Sequence, residues 1–301
     1  MQRNTFAFAR SFLETAVREV GAHIERKVEQ SALPTADVAD MRLGLAALRL
    51  TDAVSQRTVD EVQDILSTMR LTLLHFSPQG DAGHPQWFLA RGAPAGITDS
   101  PSLFLVFQGT MTPSDIMRDL LVAPKGHGGL NLHTGFLDGV VNDPSLSMQL
   151  SQHVNAATTL PLFLCGHSLG GALAMITPCT DVLPRGYNGP ITVITFGSPA
   201  VAHGGTQVLP PAAARMRILA FINKTDLIPR LLGSPVPVSL ATTLLREHPR
   251  VLECCSQYCH LPQTEMVLLQ DGSARSVPPG LRHTVMSLSE CLSSNLTRCL
   301  G

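Results

Sequence analysis

Charged side chains are scarce in this chain. Asp, Glu, Lys and Arg make up 15% of 301 residues and leave a net charge of -1 at pH 7. A balance so close to zero provides no long-range field to attract nucleic acid or an acidic membrane surface, so neither is expected as a partner on electrostatic grounds. A charge-poor surface suits an apolar ligand instead. "MQRNTFAFARSFLETAVREV" scatters charges along its length and has no uninterrupted apolar centre, so it is not expected to act as a secretory signal. No internal repeat and no low-complexity tract occurs. Seven cysteines, at 165, 179, 254, 255, 259, 291 and 299, leave one over if they pair. Reduced thiols in an intracellular compartment are therefore the simpler expectation. "CCSQYCH" (254–260) lacks the paired C-x-x-C spacing of structural zinc sites, and no metal is expected there.

What is present changes character at Arg70. Before it the pattern is helical: Leu13, Val17, Val20, Ile24 and Val28 recur at steps of three and four, Pro34 interrupts, and an Ala/Leu-rich run follows. Thr58 and Glu61 then form a capping-box pair ahead of Val62, Ile65, Leu66 and Met69. This predicts a helical N-terminal region over 1–70 that packs on a domain spanning 71–301. After Arg70, "LTLLHFS", "WFLAR" and "SLFLVFQ" are short β-prone runs between Gly/Pro/Asp-rich loops. Farther along, "PLFLC", "ITVITFGSP" and "RILAFI" alternate with helix-like segments. Near-continuous apolar strands between helices imply an α/β fold with a mostly parallel central sheet and helices on both faces.

The most apolar stretch, "PLFLCGHSLGGALAMITPC" (161–179), has no formally charged residue, yet it holds His167 and Ser168 among glycines. It divides into a buried strand, a turn and a buried helix that Pro178 ends or kinks. The turn is Gly166-His167-Ser168-Leu169-Gly170, a G-x-S-x-G. A serine on such a strand-to-helix turn is lifted out of the sheet, and its flanking glycines are needed because a Cβ would strike the adjoining elements. The Leu169 N–H then points at any oxyanion beside the serine, with a helix dipole below it.

A nucleophilic serine needs a base, and the base needs an orienting acid. "RILAFINKTDLIPR" offers a strand followed at once by Asp226, whereas Asp271 in "LLQDGSAR" reads as an Asp-Gly hairpin turn. Asp226 is the better acid. Three histidines follow it. His248 lies in the charged "REHPR", His260 follows the cysteine cluster, and His283 opens "HTVMSLSECLSSNL" after the loop "VPPGLR". A loop between a hairpin and a terminal helix can bring His283 onto the serine; His260 is the alternative.

Four blocks in order, "LVFQGT" with "HTGF", "GHSLGGALA", "TFGSP", and "NKTDLIPRL" with the later "HTVMSLSECL", make the chain resemble the class 3 (fungal-type) lipases over about residues 70–295. The resemblance implies an α/β-hydrolase fold. It also implies Ser168 as nucleophile, Asp226 as acid and His283 as base, with Thr110 beside Leu169 in the oxyanion hole and Asp119 steadying Thr110. Two positions depart from the family pattern: Gln108 replaces the usual Arg before Gly-Thr, and Cys291 stands where many relatives have Tyr. The family keeps a lid between Thr110 and His133. In that interval Ile116, Met117, Leu120 and Leu121 share one helical face, which reads equally well as a lid or as a plain amphipathic surface helix.

The implied activity is a serine ester hydrolase cleaving acyl esters of lipids through an acyl-enzyme intermediate, without a cofactor. Its partner is an acyl-lipid substrate, an acylglycerol or polar glycerolipid, with a possible lipid interface through residues 112–122. The chain is then expected to be cytoplasmic or peripheral on a lipid surface. An acyltransferase or small-ester esterase would use the same triad, and an inactive hydrolase-like binding protein is the contrasting class.

Overall fold

The computed structural model describes residues 32–56, 58–78, 85–95, 97–109, 123–154, 159–204, 208–224, 226, 228–232, 257–270 and 273–281, together with Arg26. The apolar pattern of Leu13 to Val28 lies outside these residues.

Two helices come first, each with a visible reason to start where it does. In α1 (Val38–Ala53) the Asp37 carboxylate accepts the N–H groups of Ala39 and Asp40, at 2.6 and 3.4 Å. In α2 (Val59–Thr68) the expected capping box is formed: the Glu61 N–H donates to Thr58 Oγ1 at 3.3 Å, and the Thr58 N–H donates to Glu61 Oε2 at 3.1 Å. Such pairing satisfies donors that a helix start leaves without an intrahelical acceptor.

Strands β1 (Leu71–Ser77), β2 (Trp87–Gly92) and β3 (Ser102–Phe107) follow, then a hairpin of β4 (Pro124–His127) and β5 (Leu130–His133). Helices α3 (Thr134–Val141) and α4 (Pro144–His153) lead to β6 (Leu162–His167) and α5 (Leu169–Ile176). α5 ends at Ile176, and Pro178 lies just beyond it in a 3-10 turn over Thr177–Cys179. Next come β7 (Ile191–Phe196), β8 (Ala202–His203), α6 (Pro211–Arg215), β9 (Arg217–Asn223) and α7 (Ile228–Leu231). The described chain closes on β10 (Tyr258–Cys259), β11 (Thr264–Gln270) and β12 (Ser273–Val277).

Eight strands form the main sheet in the order β1-β2-β3-β6-β7-β9-β11-β12. The centre, from β3 to β11, is parallel, and both edges are antiparallel. β11 and β12 pair with Gln270 opposite Ser273, which is the hairpin expected around Asp271-Gly272, although the turn residues themselves lie outside the described set. A small antiparallel sheet, β10-β8-β5-β4, stands apart.

The central strands are buried on both faces, and their side chains alternate between two cores. Leu103, Leu105 and Phe107 of β3 join Leu162 and Leu164 of β6 in a core with α3, α4 and α5. Phe104 and Val106, with Phe163 and Cys165, face the other way and meet Ala47 and Leu50 of α1 and Val62 and Leu66 of α2. This two-residue period is that of a strand, and it explains why the segments read as continuous apolar runs. Each fully buried Leu or Phe contributes about 1.5–3 kcal/mol relative to exposure. At Gly44 of α1 a Cβ would stand 2.5 Å from the Phe221 ring, so the absent side chain lets α1 approach the sheet closely.

Candidate active site

The carboxyl ends of the parallel strands carry the site. Gly109 follows β3, Ser168 follows β6, Gly197 follows β7 and Asp226 follows β9. In open α/β sheets this edge is where ligands bind, because the loops leaving successive strands converge there. The strand ends are tied together by main-chain bonds: the Ser168 N–H donates to Phe196 O at 2.8 Å, and the Gly197 N–H donates to Phe221 O at 2.9 Å.

Ser168 has φ 51° and ψ -120°, a conformation that L residues rarely adopt. It is 2% exposed, and its hydroxyl has no hydrogen-bond partner among the described residues. The turn is as tight as the G-x-S-x-G pattern requires. A Cβ on Gly166 would overlap the Gly170 main chain, and a Cβ on Gly170 would overlap Phe107 O of the neighbouring strand. Gly171 faces Ser198 in the same way, with a prospective Cβ 2.8 Å from the Ser198 Cβ. α5 starts directly at Leu169, so the Leu169 N–H belongs to the first turn and has no acceptor within its helix.

Gly109 is held hard against the elbow, since a Cβ there would overlap the His167 carbonyl oxygen and lie 3.3 Å from His167 Nδ1. Gly109 therefore brings the end of the β3 segment up to the residue before Ser168. Thr110 itself lies outside the described residues, as do Asp119 and residues 112–122.

Asp226 sits in the loop between β9 and α7. Its N–H donates to Asn223 O at 3.0 Å, and its Oδ1 accepts the Ile228 N–H at 3.0 Å. Burial pushes its carboxyl above the usual range, while the Ile228 N–H, Arg230 and His167 act in the opposite sense. Gly197, with φ 57°, makes room for it: a side chain there would overlap Asp226 Oδ2 and reach within 3.9 Å of His167 Nε2. Asp226 and the residue before Ser168 thus share one small region.

Of the expected base candidates, His260 is half-buried, with Nε2 3.4 Å from Pro229 O. His248 and His283 lie outside the described residues. So do Cys254, Cys255, Cys291 and Cys299. Among the described residues no group of three His, Cys, Asp or Glu could hold a metal ion, and no helix is long and apolar enough to cross a membrane. Burial pushes the thiols of Cys165 and Cys179 up to about 12, so both behave as packing groups.

One residue escaped sequence reasoning. Arg230 is 1% exposed, and its Nη1 donates to Asn223 O at 3.3 Å and to Asp226 O. A signal was available: a single arginine inside "LIPRLL" is a charge in an apolar run, which points to a buried cation with a partner nearby.

The class 3 lipase family model matches residues 104–235. Phospholipase A1-IIgamma of Arabidopsis thaliana is 36% identical over 75 residues, a stretch that spans 22% of this chain and only 18% of that protein's length. The solved native Rhizomucor miehei lipase propeptide complex is 18% identical, with 82% of this chain and 74% of that chain covered and a TM-score of 0.51. A triacylglycerol lipase from Penicillium expansum is 15% identical, with 81% and 86% covered and a TM-score of 0.52. At these identities the structural likeness shows the fold, which is that of an α/β-hydrolase.

Proposed function

We propose that this chain, a member of the class 3 lipase family through residues 104–235, is a serine hydrolase that cleaves acyl esters of lipids. The observation that carries the reading is Ser168: a buried hydroxyl without a partner among the described residues, on a left-handed turn between a parallel strand and a helix. Strain of this kind costs about 1–3 kcal/mol and is maintained where geometry has a use. In this reading Ser168 Oγ attacks the acyl carbonyl while His283 takes its proton and Asp226 holds the imidazolium. The N–H groups of Leu169 and Thr110 receive the oxyanion. The intermediate collapses as the His283 imidazolium protonates the departing alcohol, which leaves the acyl group on Ser168. Neutral His283 then takes a proton from water as it attacks that ester, and the fatty acid leaves while Ser168 Oγ regains its proton.

The substrate is an acylglycerol or polar glycerolipid, consistent with a chain poor in charge, and no metal or organic cofactor takes part in the steps. Residues 71–301 form the catalytic domain and residues 1–70 a helical region whose α1 and α2 cover one sheet face. Residues 112–122 supply the lipid-facing surface, through the helical spacing of Ile116, Met117, Leu120 and Leu121.

Purified wild type and Ser168→Ala decide the matter. The substitution should abolish fluorophosphonate labelling and lower ester hydrolysis by about 10³- to 10⁶-fold, with an unchanged circular dichroism spectrum. Labelling retained in Ser168→Ala would place the nucleophile elsewhere.

A further inference from the structure

The loop that carries Asp226 is fastened from beneath. Arg230 leaves the short helix α7 and turns its Nη1 back onto two carbonyl oxygens of the chain that enters that loop, Asn223 O at 3.3 Å and Asp226 O. Asn223 is the last residue of β9, so the guanidinium ties the strand end to the acid's own main chain. Main-chain groups also order the loop: the Lys224 N–H donates to Leu269 O at 3.0 Å, the Asp226 N–H to Asn223 O and the Ile228 N–H to the carboxylate. Arg230 is 1% exposed, and its Nε and Nη2 have no acceptor among the described residues. A buried cation is a poor stabiliser, because desolvation takes back much of what its bonds contribute. An apolar side chain of similar volume would serve packing at least as well. The charge therefore calls for another explanation.

We propose that Arg230 is a positioning residue: its buried guanidinium holds the main chain of Asn223 and Asp226, and thereby sets where the Asp226 carboxylate meets the catalytic histidine. This rests on the reading of Asp226 as the triad acid. Among the described residues, the charged or titratable groups that act on the Asp226 carboxyl are Arg230, from α7, and His167, at the end of β6. Asp226 is the corresponding partner of Arg230, whose own ionisation is pushed down to about 10 by burial and raised by that carboxylate. Arg230 is thus a cation throughout the working pH range. Its removal raises the proton affinity of the Asp226–histidine pair, and the acid limb of the pH–rate profile moves to higher pH.

The test is the hydrolysis of a soluble short-chain ester from pH 4 to 9 by purified full-length wild type, Arg230→Met, Arg230→Lys, Asp226→Asn and the double variant Asp226→Asn/Arg230→Met. Arg230→Met should keep its melting temperature, lose about 10- to 100-fold in kcat with KM little changed, and show the raised acid limb. In the Asp226→Asn background the same change should cost less than about 3-fold, since both act through one group. Lysine keeps the charge but ends about one bond short of Nη1. Arg230→Lys should therefore lose kcat about 10-fold while its acid limb stays in place, and this variant decides the matter if Arg230→Met fails to fold. Wild-type kcat in Arg230→Lys, or a wild-type profile in Arg230→Met, overturns the positioning role. Wild-type rates in Asp226→Asn would instead overturn the assignment of the acid.

Discussion

Ser168 owes its conformation to its neighbours more than to itself. Its φ of 51° is held because Gly166 and Gly170 leave no Cβ to collide and because Phe196 O anchors its N–H. The base is likewise a matter of single residues. His260 approaches the Pro229 carbonyl at 3.4 Å, which gives it a place in packing around α7, while His283 is the base we propose. His283→Ala should abolish ester hydrolysis about as fully as Ser168→Ala, because members of a triad act as one unit. His260→Ala should keep activity within a few-fold and cost at most about 1–2 kcal/mol in urea unfolding. The reverse pattern of activities would transfer the base to His260.

Among the elements, α4 shows how one side chain joins a helix to the sheet. Asp143 is 4% exposed; its Oδ1 accepts the N–H groups of Ser145 and Leu146 at 2.9 and 3.0 Å, and its Oδ2 accepts the Trp87 indole N–H at 2.7 Å. It is at once the N-cap of α4 and the partner of a fully buried tryptophan on β2. Loss of a cap costs about 0.5–2 kcal/mol, and an unsatisfied buried donor about 1–3. Asp143→Ala should therefore lower the unfolding free energy by about 2–4 kcal/mol in denaturant titration, with Asp143→Asn losing less because it still offers an acceptor. A loss below about 0.5 kcal/mol for the alanine variant would show that the two roles are not both exerted.

For the molecule as a whole, the question is how a lipid reaches a serine that is 2% exposed. The sequence places Ile116, Met117, Leu120 and Leu121 at helical spacing between the Thr110 position and β4. Exposing four such side chains to water costs several kcal/mol at about 25 cal/mol per Å², and a lipid surface would remove that cost by accepting them. The double variant Met117→Asp/Leu120→Asp should keep or gain activity on a soluble short-chain ester and lose it on emulsified long-chain lipid. Equal losses on both substrates would mean that this segment supports the fold near Thr110 and has no part at the interface.

The strands, the capping box at Thr58 and Glu61, the end of α5 just before Pro178 and the serine turn were legible because each depends on residues close in sequence. Periodicity, cap chemistry and the φ that glycine permits are local properties. The placement of Asp226 just after a buried strand and of the hairpin around Asp271 was likewise readable, since the two settings differ within a few positions. The tertiary structure decided what joins distant stretches. It set Gly109 against the His167 carbonyl, opened the space at Gly197 for the Asp226 carboxylate, and put Trp87 on Asp143 across 56 residues. It also buried Arg230 beside the loop of Asp226, a placement that "LIPRLL" hints at without naming its acceptors. Side chains far apart in the chain meet only where strand order and helix packing bring their backbones together, and no local propensity encodes that order.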